Sequence, residues 1–171
     1  LGTNSGYVEN CVNTAKIEAV TNNTDFIGGI SGVSYGFSDL KVEEGVKIEK
    51  CYNTGEIIGN NYLGGICART SATAEINSCY NTGNTTGNIA VGGLVGDTLI
   101  DAGIISNSYN KGKIISNSYD TGGLVGVIRS MIENCYNSGL VETAVGNDAV
   151  GGILGGIDFN YVGKEVVKNC Y

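Results

Sequence analysis

Two phrases alternate along the chain, and their alternation limits the fold more than any other property of the sequence. The first is C-Y-N-T-G, at Cys51 to Gly55 and Cys79 to Gly83. Variants of it are N-C-V-N-T at Asn10 to Thr14, S-Y-N-K-G at Ser108 to Gly112, C-Y-N-S-G at Cys135 to Gly139, and a final C-Y at Cys170 to Tyr171. The second is V-G-G-L-V-G at Val91 to Gly96, repeated as I-G-G-I-S-G at Ile27 to Gly32 and L-G-G-I-C-A at Leu63 to Ala68. It returns as T-G-G-L-V-G at Thr121 to Gly126 and V-G-G-I-L-G at Val150 to Gly155. Successive copies of the cysteine phrase lie about 28 to 40 residues apart, with a period near 29 in the middle of the chain. Two fixed phrases alternating at such a period mark an internal repeat.

Each period holds three short apolar pieces rich in Ile, Val, Tyr and Thr, exemplified by G-G-I-C-A, A-E-I-N-S-C-Y and T-T-G-N-I-A-V between Gly64 and Val91. They run about five to seven residues and carry no sustained i, i+3, i+4, i+7 stripe, so they predict strands. A unit this small cannot bury its own apolar face and gains stability by stacking on its neighbours. A β-propeller blade needs about 40 residues and four strands, more than one period supplies. The expectation is therefore an all-β, right-handed parallel β-helix of about six coils, with residues 1–171 as one solenoid domain cut from a longer chain. The handedness rests on the general preference of parallel crossovers.

Stacking turns repeated positions into columns. Ile or Leu after the double glycine and Ile before the cysteine are read as core. Asn10, Lys50, Ser78, Asn107, Asn134 and Asn169, which precede the cysteine, place a corner there. Cys11, Cys51, Cys79, Ser108, Cys135 and Cys170 form one structural column, and Tyr52, Tyr80, Tyr109 and Tyr136 another. Asn13, Asn53, Asn81, Asn110 and Asn137 are placed to form an amide ladder.

G-G-L-V-G, a spacer and then I-x-N-C-Y-N-x-G resembles the GLUG-motif repeats of bacterial surface and secreted proteins, over nearly the whole chain. That resemblance implies an extracellular β-helical scaffold in an adhesin-like protein, or the non-catalytic region that some IgA-specific metallopeptidases carry. It implies no chemistry, cofactor or metal. This chain departs from the motif by placing Cys where the family has Ser before Tyr, except at Ser108.

Residue content narrows the remaining options. The net charge of −7, with only ten Lys and Arg, argues against a nucleic-acid backbone or an anionic membrane surface as partner. No run approaches 18 apolar residues, which argues against direct membrane insertion by a helix. The chain has no histidine, so Ser-His-Asp and Cys-His pairs and H-E-x-x-H zinc sites are ruled out within it. Cysteine exchanges with Ser108 in its column, as expected of small buried thiols, although stacked neighbours are close enough to bridge. Carboxylates remain as candidate chemistry. Glu9, Glu49 and Glu133 share a column that Asn77, Ser106 and Lys168 interrupt, which reads as a solvated face. Asp97 and Asp101 are placed either as surface acids or as calcium ligands, without the G-G-x-G-x-D nonapeptide that would mark a calcium-binding β-helix.

Three segments interrupt the repeat: Ser34 to Lys47, Leu140 to Ala149 and Gly156 to Val166. Two of them carry Tyr35, Phe37, Asp39, Asp158, Phe159, Asn160 and Tyr161, the candidate partner-binding residues. Aromatic faces beside carboxylates and amides suit a host glycan or protein, and they equally suit covering an open end of the solenoid. The remainder of the chain is a third candidate for stacking on those ends. The functional expectation is a non-catalytic spacer or adhesion module, extracellular or at the cell surface. A carbohydrate-active β-helix lyase or glycosidase, or an accessory region of a secreted peptidase, is the alternative.

Overall fold

The computed structural model describes residues 1–21, 25–35, 45–71, 73–100, 102–144, 149–158, 160 and 165–171. Their strands pair in parallel and stack into five sheets. The third turn shows the plan: Cys67–Ser71 in sheet 1, Glu75–Asn77 in sheet 2, Tyr80–Asn81 in sheet 3, Thr85–Gly87 in sheet 4 and Ile89–Gly92 in sheet 5. Five turns follow this order, and Leu154–Ile157 and Val167–Lys168 open a sixth in sheets 1 and 2.

The three pieces expected per period are thus five strands, because two of the pieces bend in the middle. The first bend is the corner expected before the cysteine. Asn10, Lys50, Ser78, Asn107, Asn134 and Asn169 all adopt the left-handed region, with φ between 50° and 56°. A second left-handed bend was not expected: it lies within the sheet 5 strands at Phe26, Tyr62 and Ala90 and just before one at Asp120, with φ of 65°, 56°, 54° and 60°. These are residues for which that region is unfavourable, so the stacking on either side must hold them there.

Register follows the repeat. Ile76 stands between Ile48 and Ile105, Asn81 between Asn53 and Asn110, and Gly64 between Gly28 and Gly92. Ile114–Ser116 and Thr121–Gly122 lie in sheets 4 and 5, so the second I-I-S-N-S-Y copy occupies the third piece of its coil. Its Tyr119 accordingly falls outside the tyrosine column and is exposed.

Two apolar clusters fill the lumen. The larger holds Ile48, Ile76, Ile105 and Ile132 from sheet 2 with Ile66, Leu94 and Leu124 after the double glycines; the smaller holds Ile57, Leu63, Val91 and Ile114 from sheets 4 and 5. The amide column and the glycine pairs meet across the lumen. A Cβ on Gly65 would lie 2.3 Å from Asn81 Cγ, and one on Gly93 would lie 2.4 Å from Asn110 Cγ. The second glycine is required because the asparagine ladder fills its side-chain space. The first is required by its own turn: a Cβ on Gly64 would lie 2.0 Å from Cys67 O.

Candidate functional site

The repeated columns are built for cohesion. Each ladder asparagine donates to the next: Asn13 to Asn53 at 2.7 Å, Asn53 to Asn81 at 2.8 Å, and Asn81 to Asn110 and Asn110 to Asn137 at 2.9 Å. Each also closes its own corner, as Asn81 does by donating to Gly83 O at 2.8 Å and accepting from Gly83 N at 3.2 Å. Buried amides with their donors and acceptors paired rigidify a core instead of straining it.

Tyr52, Tyr80, Tyr109 and Tyr136 stack at 4.6, 5.0 and 4.9 Å between ring centroids, and Tyr171 continues the row at 5.5 Å. All six cysteines are free thiols. The Cys79 thiol donates to Asn77 O at 3.2 Å, and the Ser108 hydroxyl makes the equivalent bond to Ser106 O at 2.6 Å, which explains why Ser replaces Cys there. Burial pushes the Cys67 and Cys135 thiols up to about 12, so they stay protonated and poorly nucleophilic.

The column containing Glu9, Glu49 and Glu133 is a polar outer face. Lys50 Nζ donates to Glu9 at 2.7 Å, and Asn77 Nδ2 donates to Glu49 at 3.2 Å. A hydrogen bond from the Tyr7 hydroxyl, chief among several contacts, holds the Glu49 carboxyl below the usual range.

A different arrangement stands on the outer side of sheet 1. Arg69 and Asp97 face each other in adjacent strands, and Arg69 Nε and Nη2 donate to Asp97 Oδ2 at 2.9 and 2.8 Å. Arg129 Nη1 donates to the other oxygen, Asp97 Oδ1, and Arg129 Nε donates to Asp158 Oδ2 at 2.8 Å. The row reads Arg69, Asp97, Arg129, Asp158, with alternating charge over four turns. The Asp97 side chain is 3% exposed; burial pushes its carboxyl up while the two guanidinium groups pull it down. The Asn160 backbone N–H, followed by Arg129, holds Asp158 below the usual range.

Beside this row runs the second bend. Phe26 and Tyr62 stack at 5.1 Å, and the Arg69 guanidinium carbon lies 4.3 and 4.2 Å from their centroids. The column then continues with Ala90 and Asp120, which carry no ring. Where the aromatics stop, a hollow of about 400 Å³ opens, lined by Tyr62, Arg69, Ala90, Asp97, Asp120 and Arg129 among others.

Residues 87–115 match the family model described as the GLUG motif. That segment is one complete turn, from the end of a sheet 4 strand at Gly87 round to the next sheet 4 strand at Ile115. The other turns stack on it in register with the same glycine, asparagine and tyrosine rows. The turn at residues 87–115 is a GLUG motif. In structural terms the GLUG double glycine is the wall against which the asparagine ladder of the cysteine phrase packs. No curated protein and no solved structure matches the chain.

Of the candidate partner-binding residues, Asp158 joins the charged row and Asn160 donates to it through Nδ2 at 2.8 Å. Tyr35 ends the Ser31–Tyr35 strand, half-buried. Phe37, Asp39, Phe159 and Tyr161 lie outside the described residues, as does Asp101. Guanidinium groups occupy both oxygens of Asp97, so it is an ion-pair carboxylate and not an open calcium ligand. Sequence reasoning missed Phe26, Tyr62, Arg69 and Arg129 as a group. A signal existed: Arg69 and Asp97 each stand four residues after the second glycine of consecutive GLUG phrases, with opposite charge.

Proposed function

We propose that the chain is a non-catalytic spacer and adhesion module of a larger secreted or surface-exposed protein. The observation that carries this reading is the use of the repeated residues. Turn after turn, glycine, asparagine, tyrosine and cysteine are spent on holding the neighbouring turn, which makes a stiff rod whose outer rows are free to vary. Such a rod separates or presents whatever is joined to it.

The carbohydrate-cleaving alternative needs a carboxyl pair able to donate and accept protons. The outer-face acids are otherwise employed: Asp97 is clamped by two guanidinium groups, Asp158 is bound by Arg129 and Asn160, and the register partners Glu9 and Glu49 accept from Lys50, Tyr7 and Asn77. Antibodies raised against the purified chain, applied to cells making the full protein, test the proposal. Labelling of intact cells or of the medium is expected. Labelling that requires permeabilisation would refute the surface assignment.

A further inference from the structure

We propose that Cys11 and Cys51 form a modification site for low-molecular-weight disulfides, which react at Cys11 and leave a Cys11–Cys51 bond that clamps the first two turns together. The thiol column has different surroundings along its length: Cys11 is exposed, Cys51, Cys79 and Cys135 are buried, and Cys170 is half-buried. Cys11 and Cys51 stand in register, since Val12 pairs with Tyr52 and Tyr52 N donates to Cys11 O at 3.0 Å. In-register neighbours lie about 4.8 Å apart. That is inside the Cα separation of about 4.4 to 6.8 Å that a disulfide spans. The Cys51 sulfur is turned toward the first turn, where it accepts from Cys11 N at 3.4 Å. Among the described residues the Cys11 thiol donates to Glu9 O at 3.4 Å, and a thiol is a weak donor, so this exposed side chain is free to turn onto the Cys51 sulfur.

Access sets the order of the reaction. Cys51 is fully buried, so a dissolved reagent meets Cys11 first. The Cys11 thiolate, its proton lost to water, attacks one sulfur of the reagent, forming a mixed disulfide and releasing one small thiolate that takes up a proton. Cys51, likewise deprotonated, then attacks the Cys11 sulfur and releases the second small thiol. Two protein thiols are oxidised to one disulfide, and one molecule of reagent is reduced to two thiols. The neighbouring Cys79 thiol, the largest influence, holds the Cys51 pKa below its ordinary value against the opposing effect of burial, which favours the attacking thiolate. The other end of the column lacks this arrangement. The Cys135 sulfur accepts from Ser108 N at 3.4 Å, so it faces away from Cys170, and burial pushes its thiol up to about 12. Cys51 and Cys79 are also neighbours, but both are buried from the reagent.

The test incubates the whole reduced chain with oxidised glutathione in the absence of oxygen, quenches with iodoacetamide, and maps the unreduced peptides by mass spectrometry. A transient Cys11–glutathione adduct is expected, followed by a Cys11–Cys51 linked peptide, with Cys67, Cys79 and Cys135 alkylated only after unfolding. Cys51→Ser is expected to stop at the Cys11 adduct, and Cys11→Ser to leave Cys51 reduced; Ser108 shows that the column accommodates serine. In the oxidised chain the amides that join the two turns, Tyr52 and Thr54, are expected to exchange hydrogen about tenfold more slowly. The inference fails if the parent chain stops at the Cys11 adduct, if the bond joins Cys51 to Cys79 or Cys135 to Cys170, if Cys11→Ser still loses the Cys51 thiol, or if those amides exchange at an unchanged rate. Because the purified chain is used, these results leave the surface-labelling experiment to stand or fall by itself.

Discussion

Replacing Asn81 by alanine removes the middle rung of the amide ladder. Asn81 is fully buried and takes part in four hydrogen bonds: to Gly83 O, to Asn110 Oδ1, from Gly83 N and from Asn53 Nδ2. At about 1 kcal/mol net for each bond, the loss is about 4 kcal/mol. The orphaned groups of Asn53, Gly83 and Asn110 sit where water reaches poorly, which pushes the cost upward. Asn13 at the first turn provides the control. It makes a similar set of bonds, to Asn53, to Ala15 O and from Ala15 N, but it is only half-buried and water can replace it, so Asn13→Ala should cost about 1 kcal/mol. Urea unfolding followed by far-UV circular dichroism and tyrosine fluorescence suits a chain with ten tyrosines and no tryptophan. With a slope of about 2 kcal/mol/M, the Asn81→Ala midpoint should fall by about 2 M and the Asn13→Ala midpoint by about 0.5 M. Equal shifts for the two variants would refute the view that the buried ladder is a principal source of cohesion.

Three further outcomes follow from the same rows. Gly93→Ala should cost about 3 kcal/mol or prevent folding, because its Cβ would lie 2.2 Å from Gly123 O; Gly152→Ala, at the same repeat position with nothing within 4 Å, should be nearly neutral in the same urea assay. Thiol titration of the native chain should show Cys11, the exposed thiol, reacting first, with Cys51, Cys67, Cys79 and Cys135 reacting only on unfolding. Cys67 and Cys135 have folded pKa values raised from 9.0 to about 12, so the stability they contribute is complete below about pH 9 and is lost as pH rises toward 12; Cys135→Ser should flatten that alkaline loss in pH-dependent melting.

The parts of this fold that could be read from sequence are those where one contact dictates one residue type. The ladder needs an amide, the wall facing it needs glycine, and the lumen needs Ile or Leu, so each appears as a column at the repeat period. The corner before the cysteine was legible for the same reason: four of its six residues are asparagine, the residue other than glycine most at ease with positive φ. The second bend was not legible, because Phe26, Tyr62, Ala90 and Asp120 share no property that marks a left-handed backbone. Their conformation is imposed by the strands on either side. The charged row was legible only after register was known, since Arg69 and Asp97 are meaningless as a pair until the glycine phrases align them. The hollow lies one step further away. Its lining draws on Tyr62, Asp97, Asp120 and Arg129 from successive turns, a relation among those turns and a property of none of them. In a chain whose repeated residues are committed to cohesion, variation falls where a column is broken. Ala90 breaks the ring column begun by Phe26 and Tyr62, and its full burial shows that its neighbours close over the place of the missing ring.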